Sequence, residues 1–237
     1  RVCLPSAGTR WHHVEAVPQR EADGAVVWHG FSTDVTEARL ATQKLERQHR
    51  MLEAVRVAQS VFIEAEDKRR AFEGLLQAFL SVTGSAYGFV GEVLYSDTGA
   101  PYLRTSAITN IAWDEASRLM YASQAEDGMA FRNLDSLFGR AMLTGDPLIA
   151  NHPASHPHAG GLPGGHPALD CFLAVPLAVG DRLVAMVGLA NQPGGYSEDD
   201  IEFLQPLLGA VRQQRRHVAA AGADFEHLVS VLHSSFL

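Results

Sequence analysis

The stretch Pro167–Leu208, PALDCFLAVPLAVGDRLVAMVGLANQPGGYSEDDIEFLQPLL, decides the fold of this chain. It contains two apolar runs, Phe172–Val179 and Arg182–Asn191, and only Gly180 and Asp181 separate them. Two β-favouring runs joined by a Gly-X pair predict a tight antiparallel hairpin, because glycine accepts the positive φ of such a turn. Neither face of either run is polar, so we expect both faces of the hairpin to be covered.

A helix is predicted after the hairpin, beyond the break QPGGY at residues 192–196. Ser197 precedes three acidic residues, a pattern typical of a capped helix start. Apolar residues then recur at helical spacing and predict a buried stripe of Ile201, Leu204, Leu208 and Val211. Pro176 has no N–H to donate, so it indicates a bulge in the first strand or a position without a partner strand on one side. Pro206 indicates a kink or a short break in the helix.

The segments before the hairpin predict the rest of the domain. Strands are expected at Tyr87–Tyr95, Pro101–Ile111 and Leu148–Ala150, and helices at Ala71–Val82, Trp113–Glu126 and Leu134–Leu143. These elements do not alternate as βαβ units do, so the predicted fold class is α+β, with a central antiparallel sheet flanked by helices.

The motifs of this region resemble one family. GHPALDCFLAVPL at residues 165–177, followed by VGLANQPGGYSEDDIEFLQPLL at residues 187–208, is similar to a GAF subgroup found in bacterial sensor kinases and cyclic-di-GMP enzymes. The resemblance implies a GAF domain, the small-ligand and signalling fold of bacterial sensors, over residues 67–216. It also implies that the segments around Phe131, Asn133 and Phe138 wall a ligand pocket.

The first 36 residues predict a hairpin, with strands at Arg10–Gln19 and Ala25–Phe31 around a turn at residues 21–24. The sequence RWHHVEAVPQREADGAVVWHGFSTDVTEA resembles the closing hairpin of a PAS domain, whose last strand ends in a D-V-T-E element. The resemblance implies that residues 1–36 are the end of a truncated PAS domain. The alternative is any capped helix that follows any hairpin. Because the chain begins at Arg1 without methionine, we expect an excerpt of a longer protein.

A helix start is predicted at the D-V-T-E element. Asp34 can accept backbone N–H groups there, and Glu37, three places later, can reach back, as in a capping box. The residues predicted to couple the hairpin to the helix are Asp34, Thr36 and Glu37.

The helix from Asp34 is predicted to be long, since neither glycine nor proline occurs before Gly74. Three- and four-residue steps mark a heptad seam of Ala38, Ala41, Leu45, Gln48, Leu52, Val55, Gln59 and Phe62. We therefore predict a parallel homodimer through this linker helix (residues 37–66), held by Leu45, Leu52, Val55 and Phe62. The alternative is a stripe that packs on its own domain. Residues 217–237 predict a further, truncated output helix.

The loop Asn151–Asp170 is the longest irregular segment and is predicted to cover a small-molecule pocket. It holds four histidines, but no carboxylate or thiolate lies at a recognised ligand spacing from them, so we expect no metal site. The predicted ligand-binding residues are Phe131, Asn133, Phe138, His152, His158, His166 and Cys171. The sequence identifies neither the ligand nor a cofactor.

Cys171 has three interpretations. It could attach a bilin, as in phytochrome-type GAF domains, but the sequence lacks the neighbouring Cys-His pair of those domains. It could also be a redox catalyst, as in GAF-fold free-methionine-sulfoxide reductases, but those enzymes need further cysteines. We favour the third, a plain buried thiol at a strand start. The signature of cyclic-nucleotide-binding GAF domains is absent from the sequence.

Composition narrows the function classes. The 237 residues are 46% hydrophobic with a net charge of −8, and no basic cluster favours nucleic acid. No apolar run could cross a bilayer, so the expected setting is cytoplasmic. Kinase, cyclase and phosphodiesterase motifs are absent. We expect a non-catalytic sensory region of a bacterial signal-transduction protein, such as a two-component system, whose histidine-kinase or diguanylate-cyclase output is missing; the alternative is a thiol-dependent reductase.

Overall fold

The computed structural model describes residues 2–4, 8–64, 68–109, 128–160 and 166–213. The chain forms two compact units, Arg1–Arg50 and Met51–Leu237. Within the described ranges, no helix combines the length and the apolar character that a bilayer crossing requires. The helices predicted over 113–126 and 217–237 lie outside those ranges.

The first unit is built from two small antiparallel pairs of strands. The strands are β1 (Val2–Leu4), β2 (Gly8–Arg10), β3 (His12–Arg20) and β4 (Val26–Asp34). β3 and β4 pair along their whole length, from His12 opposite Asp34 to Arg20 opposite Val26. The predicted hairpin is therefore present. Large apolar side chains are exposed on both of its faces, namely Val14, Val17, Val26, Val27, Trp28 and Phe31.

The predicted long helix follows as α1 (Thr36–Glu64). Its acidic first turn contains Glu37, which suits the positive end of the helix dipole. Further along α1, Met51 and Ala54 are buried in the core of the second unit.

The second unit contains a six-stranded antiparallel sheet in the order β7-β6-β5-β10-β9-β8. Its strands are β5 (Tyr87–Tyr95), β6 (Pro101–Ile108), β7 (Ala130–Phe131), β8 (Leu148–Ala150), β9 (Phe172–Val179) and β10 (Arg182–Ala190). The hairpin of the deciding stretch is confirmed, and so is the α+β fold with its antiparallel sheet.

Helices cover both faces of this sheet. They are α2 (Lys68–Thr83), α3 (Leu137–Thr144), a short 3-10 turn (Pro153–Ser155) and α4 (residues 198–213). One core cluster joins Leu173, Val175 and Leu177 of β9 to α2, α4 and the buried residues of α1. The other joins Phe172 and Ala174 to residues of α3. Successive strand residues point to opposite faces, so the two apolar faces of the hairpin fill two cores, as predicted.

Each of the two prolines has a specific place. Pro176 pairs with Met186 of β10, but β8 ends opposite Phe172, Leu173 and Ala174. The proline therefore has a strand on one side only, which is where a residue without an N–H is tolerated. Pro206 lies inside α4, which runs as one helix over residues 198–213, so the helix has no break at the proline.

Candidate ligand-binding site at the loop end of the sheet

An open cleft of about 460 Å³ lies at one end of the sheet. The chain leaves β8, enters β9 and leaves β10 at this end, because neighbouring strands run antiparallel. The lining residues come from these three connections and are Asn151, His152, Asp170, Cys171, Asn191, Gln192, Pro193, Gly194 and Gly195. Of the predicted ligand-binding residues, His152 and Cys171 line this cleft.

Two asparagine side chains hold the connections together. Asn151 binds the backbone of Tyr196 twice: its Nδ2 donates to the carbonyl oxygen at 2.9 Å, and its Oδ1 accepts the N–H at 2.8 Å. Asn191 accepts the N–H of Asp170 at 2.8 Å and donates to the carbonyl of Ala168 at 3.1 Å. Asn191 adopts a φ of 58°, a left-handed conformation that asparagine tolerates better than most residues.

Gln192 and Cys171 form the inner wall. The Cys171 side chain is only 3% exposed, and its Sγ donates to the Gln192 carbonyl at 3.4 Å. The thiol is therefore buried at a strand start, as predicted. Gln192 Nε2 donates to the Gly195 carbonyl at 2.9 Å. In contrast, Gln192 Oε1 is buried and accepts no hydrogen bond from the described part of the chain.

Tyr196 anchors the loop to α2 beneath the cleft. Its hydroxyl lies 2.7 Å from Ser85 Oγ, which is in turn 2.7 Å from Thr83 Oγ1. The Thr83 hydroxyl donates to the Phe79 carbonyl at 2.8 Å. Burial raises the pKa of Tyr196 well above its ordinary value, although the hydrogen bond with Ser85 opposes this shift. The hydroxyl is thus a structural group that stays protonated.

Three of the predicted ligand residues lie near α3 and do not line the cleft. Phe131 and Phe138 meet edge-to-face with ring centroids 5.8 Å apart, and both pack against the core cluster on the α3 side of the sheet. Asn133 is exposed, and its Oδ1 accepts the N–H of Asp135 at 3.0 Å. The asparagine thus shapes the turn into α3.

The other predicted histidines also lie apart from the cleft lining. The rings of His156 and His158 are 5.7 Å apart, and the N–H of His158 donates to His156 Nδ1 at 3.2 Å. His166 Nδ1 donates to the carbonyl of Pro167 at 2.8 Å. Among the described residues, no three histidine, cysteine or acidic side chains are grouped as metal ligands.

The predicted coupling residues lie where β4 meets α1. Asp34 Oδ1 accepts the N–H of Thr36 at 2.9 Å, and Thr36 Oγ1 accepts the N–H of Trp11 at 2.8 Å. The guanidinium of Arg39 stacks over the Trp11 ring at 4.0 Å. Hydrogen bonds to the Asp34 carboxylate from the side chain and the backbone N–H of Thr36 lower the pKa of Asp34. The carboxylate of Glu37 makes no hydrogen bond to any residue that the structure describes, so the capping is one-sided.

The predicted seam of α1 divides between solvent and core. Leu45 and Leu52 are 67% and 70% exposed, whereas Met51 and Ala54 are 6% and 8% exposed within the core. Val55 is half-buried against that same core. Val55 thus packs against its own chain. The side chain of Phe62 is not among those that the structure describes.

Sequence reasoning missed the amide residues of the cleft. Asn151, Asn191 and Gln192 each follow directly or nearly directly on a strand end, but no periodic pattern marks them. The available signal was the run N-Q-P-G-G, since asparagine and glycine supply the left-handed conformations found at Asn191, Gly194 and Gly195.

Comparisons with known proteins agree on the second unit. The family model described as GAF domain matches residues 65–213. The methyl sulfide methyltransferase-associated sensor of Methanosarcina acetivorans is 34% identical over 88 residues, which cover 36% of this chain and 9% of that protein. The match therefore spans a small part of that sensor's length.

Several solved structures share the fold. The GAF domain of a phosphoenolpyruvate-protein phosphotransferase from Coxiella burnetii has a TM-score of 0.58 at 14% identity, over 74% of this chain and 98% of that one. The corresponding Acinetobacter domain has a TM-score of 0.54 at 13% identity, over 73% and 97%. Free methionine-R-sulfoxide reductase from Neisseria meningitidis, solved with its substrate, has a TM-score of 0.52 at 13% identity, over 72% and 91%. At such identities these likenesses establish the fold alone.

Proposed function

The chain belongs to the GAF domain family, and from this we propose that it is a non-catalytic sensory module that relays a signal as a parallel homodimer through α1. A GAF sensory or regulatory domain fits the similarity to a methanogen sensor. One observation carries the dimer: a single helix buries Met51 in the domain core and leaves Leu45 and Leu52 exposed.

The two faces of α1 are distinct. At about 100° per residue, Leu45 and Leu52 lie about 20° apart on the helix, so they form one stripe. Met51 lies about 100° around the helix from Leu52, and Ala54 about 160°. The core contact therefore leaves the leucine stripe uncovered. A change within the core can move α1, and a partner helix on the stripe would follow that movement.

The energy of pairing is consistent with a reversible dimer. Full burial of a leucine side chain contributes about 1.5–3 kcal/mol, and a two-fold contact buries Leu45 and Leu52 from each chain. Association costs about 4–15 kcal/mol in lost translational and rotational freedom. The two quantities are of the same order, so we expect the dimer to dissociate on dilution.

The test replaces both stripe leucines with aspartate. Leu45→Asp combined with Leu52→Asp should convert a dimer into a folded monomer, read by size-exclusion chromatography with light scattering and by circular dichroism. Leu40→Asp is the matched control, because Leu40 is an exposed leucine of the same helix, about 140° from Leu45. A wild-type chain that is monomeric at high micromolar concentration would overturn the proposal.

The N-terminal hairpin is proposed to be the closing hairpin of a PAS domain. The exposed Trp28 and Phe31 support this, because apolar side chains on both faces of a hairpin suit a strand pair that is covered in its working state. The family match begins at residue 65 and does not include the hairpin. The cytoplasmic setting and a histidine-kinase or diguanylate-cyclase output remain predictions from the sequence.

A thiol-dependent reductase is the second candidate. The similarity of fold to free methionine-R-sulfoxide reductase and the position of Cys171 in the cleft wall favour it. Against it, the sequence holds only two cysteines, Cys3 and Cys171, and the thiol is buried. Thiol-dependent reduction of free methionine sulfoxide by the wild type, lost in Cys171→Ser, would establish the reductase. Equal, background turnover by both proteins would support the sensory role.

A further inference from the structure

We propose that pairing through α1 depends on pH, because Lys44 of one chain faces His49 of the partner subunit across the seam and repels it once the imidazole is protonated. This inference rests on the dimer of the proposed function and adds the condition that regulates it. It follows from the leucine stripe, from the residues on its two sides and from a parallel orientation of the two helices.

The leucine stripe determines which residues flank the seam. Leu45 and Leu52 are exposed and seven residues apart, so both take the a position of a heptad. The flanking positions, e and g, then hold Thr42, His49 and Arg56 on one side and Glu37, Lys44 and Met51 on the other. In a parallel pair of helices, a g residue lies beside the e residue five places further along the partner helix.

One of these contacts joins two side chains that can both be positive. The three contacts across the seam, among the described side chains of α1, are Glu37 with Thr42, Lys44 with His49, and Met51 with Arg56. Lys44 and His49 are both exposed on the single helix, so both are available to a partner. The two-fold symmetry of a dimer makes the contact between Lys44 and His49 twice.

The charge of this contact changes in the physiological range. Histidine is the side chain that ordinarily gains its charge between pH 8 and pH 5, whereas lysine is positive throughout that range. Above the range, a neutral His49 tolerates the ammonium group of Lys44 beside it. Within the range, protonation places two like charges at the contact, so the dimer binds the proton less well than the monomer. Association is therefore stronger at high pH and weakens as pH falls.

The core contact of α1 lies on the other side of the helix from His49. The buried residues Met51 and Ala54 are about 160° and about 140° around the helix from His49. The groups that pack on those two residues therefore do not face the imidazole. A partner helix on the leucine stripe does face it, because His49 is about 40° from Leu45.

The acidic neighbours of His49 on its own helix act equally on the free and the paired chain. Glu46 lies three places before His49 and Glu53 lies four places after it. Glu53 is bound to Arg56 through both carboxylate oxygens, at 2.6 and 3.0 Å. These groups affect the imidazole before and after association, so they do not make association depend on pH. The partner's Lys44 is close to the imidazole only in the dimer.

Sedimentation equilibrium of the whole chain at about pH 7.5 and about pH 6 tests the proposal. The dimer Kd of the wild type should rise about two- to fivefold more on acidification than that of His49→Gln, since each dimer contains two weak, exposed like-charge contacts. His49→Gln is the reference because it retains the change in net charge that the other histidines cause. Lys44→Glu should reverse the sign, so that its dimer tightens on acidification, because a carboxylate attracts the imidazolium.

His29→Gln is the matched control. His29 is an exposed histidine of β4, so this variant should keep the wild-type dependence on pH. Combining Lys44→Glu with His49→Gln should abolish the reversed dependence, which shows that the two residues act on each other. Circular dichroism at both pH values verifies that every variant keeps its helices.

Two results would overturn this inference and leave the proposed dimer standing. One is a wild-type dimer whose Kd changes with pH as that of His49→Gln does. The other is a Lys44→Glu dimer that still weakens on acidification, because the lysine would then not face the histidine of the partner subunit. A wild-type chain that is monomeric at both pH values, up to high micromolar concentration, would instead overturn the dimer and this inference together.

Discussion

Asn151 and Tyr196 are 45 residues apart in the chain, and the side chain of the first satisfies both backbone polar groups of the second. The asparagine stands at the end of β8, and the tyrosine stands just before α4. This pair closes the loop that contains Gly194 and Gly195 onto the sheet. The cleft therefore has a rigid rim, although no regular element forms it.

The two glycines of that loop should respond differently to substitution. Gly195 has a φ of 83°, and an added Cβ would lie 2.7 Å from Asn151 Oδ1. Gly194 has a φ of 90° with nothing within 4 Å of the added atom. Gly194→Ala should cost about 1–2 kcal/mol in free energy of unfolding, the price of a left-handed alanine. Gly195→Ala should cost more, because it also displaces the Asn151 side chain from Tyr196. Equal losses of unfolding free energy for the two variants, measured by urea denaturation, would contradict this role of Asn151.

Tyr196 makes the stability of the domain sensitive to high pH. Its pKa is raised by burial, so the protonated hydroxyl contributes stability that is present below the ordinary value of 10.0 and is lost as pH rises above it. Tyr196→Phe should cost about 0.5–1.5 kcal/mol at neutral pH by removing the hydrogen bond to Ser85. The variant should also lose stability less steeply between about pH 9 and about pH 11.

Tyr102→Phe provides the comparison for that measurement. Tyr102 is half-buried on β6, its ring lies under Arg132, and its hydroxyl makes no hydrogen bond to a described residue. The Tyr102→Phe variant should therefore lose less free energy of unfolding at neutral pH than Tyr196→Phe, since it removes no hydrogen bond to a described residue. A Tyr196→Phe curve parallel to wild type would show that the buried hydroxyl does not titrate on unfolding.

Asp34 should control the fraying of the first turn of α1. Its carboxylate accepts the N–H of Thr36, so Asp34→Ala should speed hydrogen exchange across residues 35–40. The lowered pKa gives the sign of the pH effect: protection is present above the ordinary value of 3.8 and is lost as pH falls below it. Asp23→Ala, which removes a similar hydrogen bond to Ala25 in the hairpin turn, should leave α1 unchanged. Unaltered protection in Asp34→Ala would mean that the helix start is held by other groups.

Gly188 leaves room for an aromatic ring on the neighbouring strand. Gly188 of β10 is paired with Phe89 of β5, and an added Cβ would overlap the Phe89 ring. Gly188→Ala should therefore destabilise the domain by about 1–3 kcal/mol through overpacking. Gly209→Ala in α4 should have the opposite sign, a gain of about 0.5–1 kcal/mol, since nothing lies within 4 Å there. Differential scanning calorimetry of both variants measures the contrast, and a neutral Gly188→Ala would refute it.

The sequence predicted the scaffold because the scaffold is encoded locally. The strands Tyr87–Tyr95, Leu148–Ala150 and Phe172–Val179 have the predicted limits, since each is a largely apolar run between turn residues. Pro206 is the exception. A proline alone predicts an interrupted helix, but α4 continues through Pro206. The packing of Leu204, Leu207 and Leu208 in the core holds the helix on the sheet, and a rule based on neighbouring residues does not include that packing.

The cleft was only partly predictable, because pairing between distant strands brings its walls together. Ala150 pairs with Phe172, and this places His152 beside Cys171. The loop before β9 is rich in histidine, yet His158 and His166 contact their own neighbours in sequence. Amide groups such as Gln192 carry no charge and no periodic pattern, so only the three-dimensional arrangement identifies them.

The burial of Met51 beside the exposed Leu52 has a consequence for protein engineering. Met51 fixes which side of α1 faces the core. The direction in which an upstream leucine stripe points then depends on the number of residues between the stripe and Met51. Inserting one residue between Leu45 and Met51 turns the upstream stripe by about 100°, whereas inserting seven returns it to within about 20°. Chimeras that join other sensors upstream of Met51 should therefore retain their response only at lengths that differ by whole heptads.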